Sequence, residues 1–180
     1  MQKRLIMGGS LLDVTLRRLA QELIENHGDF SDSALIGLQP RGTFLAQRLK
    51  AKLEEELGKE VGLGFLDITF YRDDFRRRER PLAANQTDIP FLLEGKKVVL
   101  VDDVLFTGRS VRAALDAMMA FGRPGKVELL TLANRRYGRD LPIEAHYTGK
   151  SFDTVRSQRI EVEWTEQGHD EDRVWLTDSE

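Results

Sequence analysis

Apolar residues recur at helical spacing in three stretches of the chain, residues 10–27, 43–57 and 111–121. In the first stretch the side that we expect to be buried carries four leucines, Leu12, Leu16, Leu19 and Leu23. Ser10 is followed three residues later by Asp13, a pair typical of a capping box. Gly58 stands where a glycine commonly ends a helix. The pattern therefore predicts three helices.

Short apolar runs bounded by turn signals lie between and after these stretches. They predict strands at residues 33–38, 61–70, 98–101 and 127–133, and alternation predicts two more, residues 159–164 and 173–176. Residues 71–90 are polar without an apolar period, which favours a long loop or an extended hairpin arm, and residues 145–150 read as a turn. Strands that alternate with helices predict a mainly parallel sheet with helices on both faces.

Composition narrows the class of protein. The length of 180 residues fits one domain, residues 1–180. The absence of cysteine excludes disulfides and thiolate metal sites, in agreement with a reducing compartment such as the cytoplasm. No apolar run approaches the ~20 residues of a membrane span, so no membrane partner is expected. A net charge of −3 means that any site for a polyanion must come from local clustering.

The most informative stretch is residues 98–110, VVLVDDVLFTGRS. An apolar run delivers Asp102 and Asp103 to a strand end, and small and hydroxyl residues then open a helix. Adjacent carboxylates suit the vicinal hydroxyls of a ribose, or Mg²⁺ held directly or through water. A helix start suits a phosphate. Together these groups describe a site for a phosphoribosyl group, although two acids alone could equally be a solvated strand end.

The whole stretch resembles the phosphoribosyl pyrophosphate (PRPP) motif of type I phosphoribosyltransferases. Segments LIGLQPRG, LDITFYRDDF, FGRP and DLPIEAHYTGK resemble, in order, segments of the PyrR family. That family comprises uracil phosphoribosyltransferases which, in many bacteria, also attenuate the pyrimidine operon by binding its mRNA. The resemblance implies an α/β protein of the type I phosphoribosyltransferase fold, with a central, mainly parallel sheet flanked by helices. It also implies a flexible loop at residues 71–90 and a base-binding hood with terminal strands at residues 134–180.

The resemblance assigns the PRPP donor to three segments. The loop after the central strand would bind PRPP through Asp102, Asp103, Val104, Leu105, Phe106, Thr107, Gly108, Arg109 and Ser110. Asp102 and Asp103 would also hold Mg²⁺, through water. The pyrophosphate loop would be Pro40, Arg41 and Gly42, and Tyr71 and Arg72 would act from the flexible loop. PyrR sequences usually have Thr where this chain has Pro40.

The acceptor base is assigned to a second group of residues. The resemblance implies contacts from Asn134, Arg135, Tyr147, Thr148 and Lys150. Purine-using relatives carry an acid where this chain has Phe106, so the apolar residue favours a pyrimidine. The implied reaction is uracil plus PRPP, with Mg²⁺, to UMP and pyrophosphate. A purine or broad-specificity phosphoribosyltransferase remains an alternative.

The resemblance also implies macromolecular partners. A basic face that includes Arg17, Arg18, Arg136 and Arg139 would bind the leader mRNA of the pyrimidine operon. A protein that is mainly an RNA-binding attenuator with weak enzyme activity, sensing UMP, is the second alternative. The resemblance further implies a homodimer or a higher homo-oligomer located in the cytoplasm.

Overall fold

The computed structural model describes residues 3–74 and 84–178. The helices are α1 (Gly9–His27), α2 (Gly42–Leu57) and α3 (Arg109–Met118). The strands are β1 (Lys3–Met7), β2 (Ser33–Gln39), β3 (Gly62–Asp67), β4 (Lys97–Leu105), β5 (Lys126–Arg135), β6 (Tyr147–Phe152), β7 (Gln158–Glu163) and β8 (Arg173–Asp178). Two single 3₁₀ turns, Thr69–Tyr71 and Thr165–Gln167, follow β3 and β7.

Five strands form a parallel sheet in the order β3-β2-β4-β5-β6. The apolar run of β4 is fully buried at its centre, as expected for a parallel strand covered on both faces. The leucines of α1 and α2 pack on one face, and α3 packs on the other. Each buried aliphatic side chain contributes roughly 1.5–3 kcal/mol, so the long central strand anchors the fold. The predicted fold class is confirmed.

A second sheet is antiparallel and has the order β1-β8-β7. From here on, the hood is this sheet together with the connection 164–172, a set different from the region 134–180 expected from the sequence, since β6 belongs to the core sheet. Its apolar residues Trp164, Val174 and Leu176 belong to the same buried cluster as the leucines of α1 and α2. The hood is therefore packed on the helical layer that covers the core sheet.

Several local predictions were wrong, each because a tertiary contact or a backbone feature decides the structure. Residues 145–150 are not a turn, since β6 is an edge strand that pairs with β5. The capping box is absent: α1 begins at Gly9 with Gly8 as its N-cap and no side-chain cap, and Asp13 pairs with Arg17 and Lys52 instead. The strand predicted at 61–70 ends at Asp67. Gly58 does end α2, as predicted.

The segment that begins at residue 84 is hydrogen-bonded to β3, the edge strand of the core sheet. The Phe65 N–H donates to the Asp88 carbonyl at 2.7 Å, and the Asp88 N–H donates back at 2.9 Å. Residues 75–83, the middle of the predicted flexible loop, lie outside the described residues. Within the described ranges, no helix has the length and apolarity needed to cross a membrane.

Candidate active site

The site is built where two neighbouring parallel strands end at the same edge of the sheet. β4 ends in Asp102, Asp103 and the loop that leads to α3, while β2 ends at Gln39 and leads through Pro40 and Arg41 to α2. The Gln39–Pro40 peptide is cis. In open α/β sheets, ligands bind outside these carboxyl ends. The structure therefore brings the predicted PRPP loop and the predicted pyrophosphate loop together.

Gly42 makes this approach possible. A Cβ atom built on Gly42 would lie 2.2 Å from the carbonyl oxygen of Val101 and 3.1 Å from the Cα of Asp102. No side chain fits in that space. The first turn of α2 consequently contacts the backbone of β4 directly, immediately before the two carboxylates.

The two adjacent carboxylates are poorly solvated. Asp103 is only 5% exposed and Asp102 is half-buried. The N–H of Asp103 donates to Oδ1 of Asp102 at 3.0 Å. Burial raises the pKa of the Asp102 carboxyl, and repulsion from Asp103 raises it further. Burial also raises the pKa of Asp103, and the nearby Arg41 guanidinium opposes both shifts.

Neither carboxylate forms an ion pair with a cation of the described residues. Hard carboxylate oxygens that share a site and lack a counter-charge suit a divalent cation. Mg²⁺ usually keeps several waters and uses only one or two carboxylates together with substrate phosphates. The described residues contain no group of three or more His, Cys, Asp or Glu that could enclose a metal alone. The donor set therefore fits a water-rich Mg²⁺ completed by its substrate.

The predicted phosphate cradle lies at the amino end of α3. Gly108 is the N-cap with a φ of 89°, a conformation that favours glycine, and no side chain caps the helix. The N–H of Arg109 makes only a long contact, 3.4 Å, with Oγ1 of Thr107. An uncapped helix start with a hydroxyl on each side, Thr107 and Ser110, presents N–H groups and a positive dipole end to an anion.

Residues 71–74, the start of the predicted flexible loop, pack against this helix. The carbonyl of Tyr71 accepts a hydrogen bond from Arg112 at 2.9 Å, and Asp73 pairs with Arg109 at 2.7 Å. Arg72, predicted to contact pyrophosphate, instead pairs with Asp74. The structure thus places Tyr71 and Arg72 beside the phosphate cradle, with the Arg72 guanidinium held within its own loop.

Asn134 lies at the end of β5, in register with Leu105 of β4. Its Oδ1 accepts a hydrogen bond from Arg139 at 2.8 Å, and Arg139 also donates to the Phe106 carbonyl. Because a guanidinium can only donate, this contact fixes the orientation of the Asn134 amide. The NH₂ group of Asn134 therefore remains as a donor for a ligand.

Arg135 forms a wall beside Asn134. It is 3% exposed, and its guanidinium carbon lies 3.4 Å from the centroid of the Phe106 ring. It donates to Thr154 Oγ1 and to the Val155 carbonyl, both at 2.9 Å. Arg135 thus orders Phe106 by stacking, and its polar groups are already engaged.

The predicted base-binding residues on β6 fall into two groups, since Lys150 lies beside the end of β5 that carries Asn134 and Tyr147 does not. Tyr147 is buried, and its hydroxyl donates to Glu128 at 2.8 Å beside His27, near the amino ends of the strands. The candidate site lies at the opposite, carboxyl ends of the strands. We therefore correct the assignment of Tyr147 to the base. The Thr148 carbonyl accepts from Arg18 at 3.2 Å, while Lys150 is exposed beside the Phe152 ring.

The four arginines predicted to face RNA are in different environments. Arg139 points into the site, and Arg18 is held by Glu22 and by the carbonyls of β6. Arg18 is nevertheless exposed, as Arg17 is, and Arg139 is partly buried beside Asn134, so their contact with RNA stays a prediction. Arg17 and Arg136 are largely exposed, although each pairs with an acid, Asp13 and Asp153 respectively.

A cavity of about 260 Å³ separates the core sheet from the hood. Arg41 and Asp103 line one wall, and the hood lines the other with Glu161, Val162, Glu163, Trp164, Gln167 and His169. A larger cavity of about 470 Å³ lies beneath α3, between Val111, Leu115 and the 142–146 segment, and contains no predicted site residue. Of the two cavities, only the smaller one contains predicted site residues, Arg41 and Asp103.

Gln39 and Thr131 also lie at this edge of the sheet and were not predicted from the sequence. Gln39 Nε2 donates to the Gln86 carbonyl at 3.0 Å, while its buried Oε1 has no partner among the described residues. The buried hydroxyl of Thr131 reaches the Asp103 carbonyl at 3.3 Å. A polar residue that ends an apolar strand, as Gln39 does, was the available signal.

Comparison with known proteins decides the family. The family model described as phosphoribosyl transferase domain matches residues 9–167. The Bifunctional protein PyrR of Listeria welshimeri is 45% identical, with 100% of both chains covered, and that of Geobacter sp. (strain M21) is 47% identical over 87% of this chain and 88% of the relative. The chain belongs to the PyrR family. The predicted family and the prediction of a phosphoribosyltransferase enzyme are confirmed.

Solved structures agree on the fold. The hypoxanthine phosphoribosyltransferase of Trypanosoma cruzi aligns with a TM-score of 0.72 at 14% identity, covering 98% of this chain and 97% of the other. That of Staphylococcus aureus gives 0.65 at 17% identity, covering 83% and 78%. At these identities the likeness concerns the fold and carries no information about the base.

Proposed function

We propose that this PyrR family member is a uracil phosphoribosyltransferase that converts uracil and PRPP, with Mg²⁺, to UMP and pyrophosphate. The observation that carries the proposal is the convergence of Asp102 and Asp103, Arg41 and the uncapped start of α3 at one sheet edge. Carboxylates for ribose hydroxyls, a cation for pyrophosphate and a phosphate cradle are what PRPP requires.

The residues present support a displacement at the anomeric carbon of the ribose. The ring nitrogen of uracil forms the new C–N bond as the C–O bond to pyrophosphate breaks, and its proton passes to solvent or to the departing pyrophosphate. Asp102 and Asp103 would hold the ribose hydroxyls and the Mg²⁺ waters, and Mg²⁺ when bound would neutralise charge on the leaving pyrophosphate. Arg41 is exposed and makes no ion pair with a described residue, so it is available for the same charge.

The acceptor wall supports a pyrimidine. Phe106 is stacked by Arg135 and cannot take part in proton transfer, which a purine would need more than uracil does. Asn134 offers an NH₂ donor that suits a carbonyl of uracil. Thr148 and Lys150 remain proposed contributors from the β6 edge.

A base panel tests this function. Purified protein with PRPP and Mg²⁺ should convert uracil, and addition of EDTA should abolish turnover. Conversion of hypoxanthine or guanine without uracil would replace the proposal by the purine alternative. Full activity in the double variant Asp102→Asn, Asp103→Asn would contradict the assignment of these two residues to the PRPP site.

We also propose that the protein acts in the cytoplasm as a homodimer or a higher homo-oligomer and binds the leader mRNA of its pyrimidine operon when UMP is bound. The exposed Arg17 and Arg136 support a contact with phosphates. A gel shift with the leader should be UMP-stimulated, salt-sensitive and weakened by Arg136→Gln. Absence of any UMP-stimulated shift would leave only the enzyme, and sedimentation would measure the oligomeric state.

A further inference from the structure

Arg48 joins α2 to the hood through an unusually complete set of contacts. Its Nε and Nη2 donate to the two carboxylate oxygens of Glu166 at 2.9 and 2.7 Å. Nη1 and Nη2 donate to the two oxygens of Asp172 at 2.5 and 2.9 Å. Nη2 also reaches Thr165 Oγ1 at 3.1 Å, and the guanidinium lies 4.7 Å from the centroid of the buried Trp164 ring. Paired, bidentate contacts of this kind fix orientation as well as distance.

The acids that Arg48 binds also organise the hood itself. Oδ1 of Asp172 accepts the N–H of Thr165 at 2.9 Å, which closes the connection between β7 and β8. Trp164, Gln167 and His169 of this connection line the 260 Å³ cavity. The contact at Arg48 therefore determines where the hood wall of the cavity lies.

The other wall of the cavity depends on the same helix. α2 begins at Gly42, which is pressed against the Val101 carbonyl, and Arg41 immediately before it faces Asp103 in the cavity. Arg48 lies less than two turns further along α2. One rigid helix thus sets the position of both walls, the Arg41 and Asp103 wall directly and the hood wall through Arg48.

We propose that Arg48 is a positioning residue that holds the hood at a fixed separation from the Arg41 and Asp103 wall, so that the acceptor base is aligned and water is excluded. The inference rests on the proposed function, since it concerns the base that the enzyme uses. Alignment of reacting groups and exclusion of water are steps in which small displacements have large effects on rate. PRPP contacts the core wall, so its binding should depend little on Arg48.

The chain offers a matched control for a purely stabilising ion pair. Lys52 is one turn further along α2 and pairs with Asp13 of α1 at 2.8 Å. The side chains of Arg48 and Lys52 are 23% and 22% exposed, and their partners Glu166 and Asp13 are 41% and 42% exposed. No hydrogen bond or ion pair joins Lys52 to a described residue of the hood. Loss of Lys52 removes one ion pair of similar exposure on the same helix, whereas loss of Arg48 removes the contacts to Glu166 and Asp172 that hold the hood.

The test compares Arg48→Met, Arg48→Lys and Lys52→Met. We expect Arg48→Met to raise the KM for uracil about tenfold, equivalent to ~1.4 kcal/mol, while the Kd for PRPP with Mg²⁺, measured by calorimetry, changes less than about twofold. Arg48→Lys should raise the KM less than Arg48→Met, because an ammonium group keeps the charge but lacks the paired N–H donors of the guanidinium. Lys52→Met should leave both constants unchanged. Equal effects of Arg48→Met and Lys52→Met on the KM would overturn the proposal.

Hydrogen exchange gives a second reading that needs no turnover. Amides of residues 158–178 should exchange faster in Arg48→Met than in the wild type or Lys52→Met, while those of β4 should not change. Should Arg48→Met fail to fold, Glu166→Gln removes one half of the contact and should shift exchange in the same direction. Unchanged exchange in the hood would overturn the proposal. Failure of the wild type to use uracil, with the exchange difference present, would contradict the proposed function alone.

Discussion

Replacing Asp102 by Asn should stabilise the protein while removing its activity. The carboxyl of Asp102 has a raised pKa because it is buried and because Asp103 is adjacent. At neutral pH the folded protein therefore bears the cost of a poorly solvated charge that the unfolded chain does not. Asn has nearly the same shape and keeps the Oδ1 that accepts the Asp103 N–H at 3.0 Å. The substitution thus removes charge and little else.

The magnitude follows from the kind of site. Relief of a functional charge of this type commonly stabilises a protein by about 1–2 kcal/mol. For a chain of this size, 1 kcal/mol moves the unfolding temperature by about 2–4 °C, so Asp102→Asn should unfold roughly 2–8 °C higher without Mg²⁺. A pKa raised by folding means that the native state binds more protons than the unfolded state. The native protein therefore loses stability as pH rises from the unfolded-state pKa of ~3.9 through the raised folded value, and the advantage of the variant disappears near pH 4.

Thermal unfolding in EDTA at pH 7.5 and pH 4 measures this effect. The exposed Asp170→Asn removes the same charge from the surface and should change stability by less than about 0.5 kcal/mol. Turnover of uracil by Asp102→Asn should fall by at least about 100-fold, because charge stabilisation in the transition state is lost. A lower unfolding temperature for Asp102→Asn at pH 7.5 would refute the reasoning.

Three further changes probe other parts of the molecule. Gly42→Ala places a Cβ 2.2 Å from the Val101 carbonyl oxygen and should lower the free energy of unfolding, measured with denaturant, by about 1–3 kcal/mol and weaken PRPP binding. Gly8→Ala is the control, because its Cβ would enter open space. Equal stability of the two variants would contradict the packing argument. Burial opposes ionisation of Glu128, but hydrogen bonds from Lys126, Tyr147 and His27 outweigh it and lower the pKa to about 2. The stabilisation by ionised Glu128 is present above the pKa of the unfolded state and is lost as the pH falls towards 2. Glu128→Gln should therefore be less stable than the wild type by about 1–3 kcal/mol at pH 7 and equally stable near pH 2, measured by thermal unfolding at a series of pH values. Arg139→Gln releases the Asn134 amide and should raise the KM for uracil up to about tenfold in steady-state assays. The control Arg136→Gln, at an exposed position, should leave this KM unchanged. A larger KM increase for Arg136→Gln than for Arg139→Gln would indicate that Arg139 does not orient Asn134.

The parts of the fold that the sequence predicted are those in which local pattern and tertiary environment agree. The leucines of α1 and the apolar run of β4 are buried at their predicted spacing because a single face or a whole strand is enclosed. β6 could not be found in this way. Its residues YTGKSF include a glycine and a lysine and have no apolar alternation. Gly149 is required because a Cβ there would lie 2.4 Å from the Leu132 carbonyl, so pairing with β5 rather than local preference makes the strand.

The same division explains which half of the site the sequence could describe. The ribose and phosphate part of the donor half is continuous in the chain: β4, its two acids and the start of α3 follow one another, and only Arg41 comes from another segment. The acceptor half depends on contacts between residues that are distant in sequence, such as Arg48 with Asp172, or whose direction only the fold reveals, such as Tyr147. Substitutions in the acceptor half can therefore alter the choice of base or the position of the hood without changing the affinity for PRPP. Separate measurement of PRPP affinity and of the KM for the base is then a direct test of whether the two halves act independently.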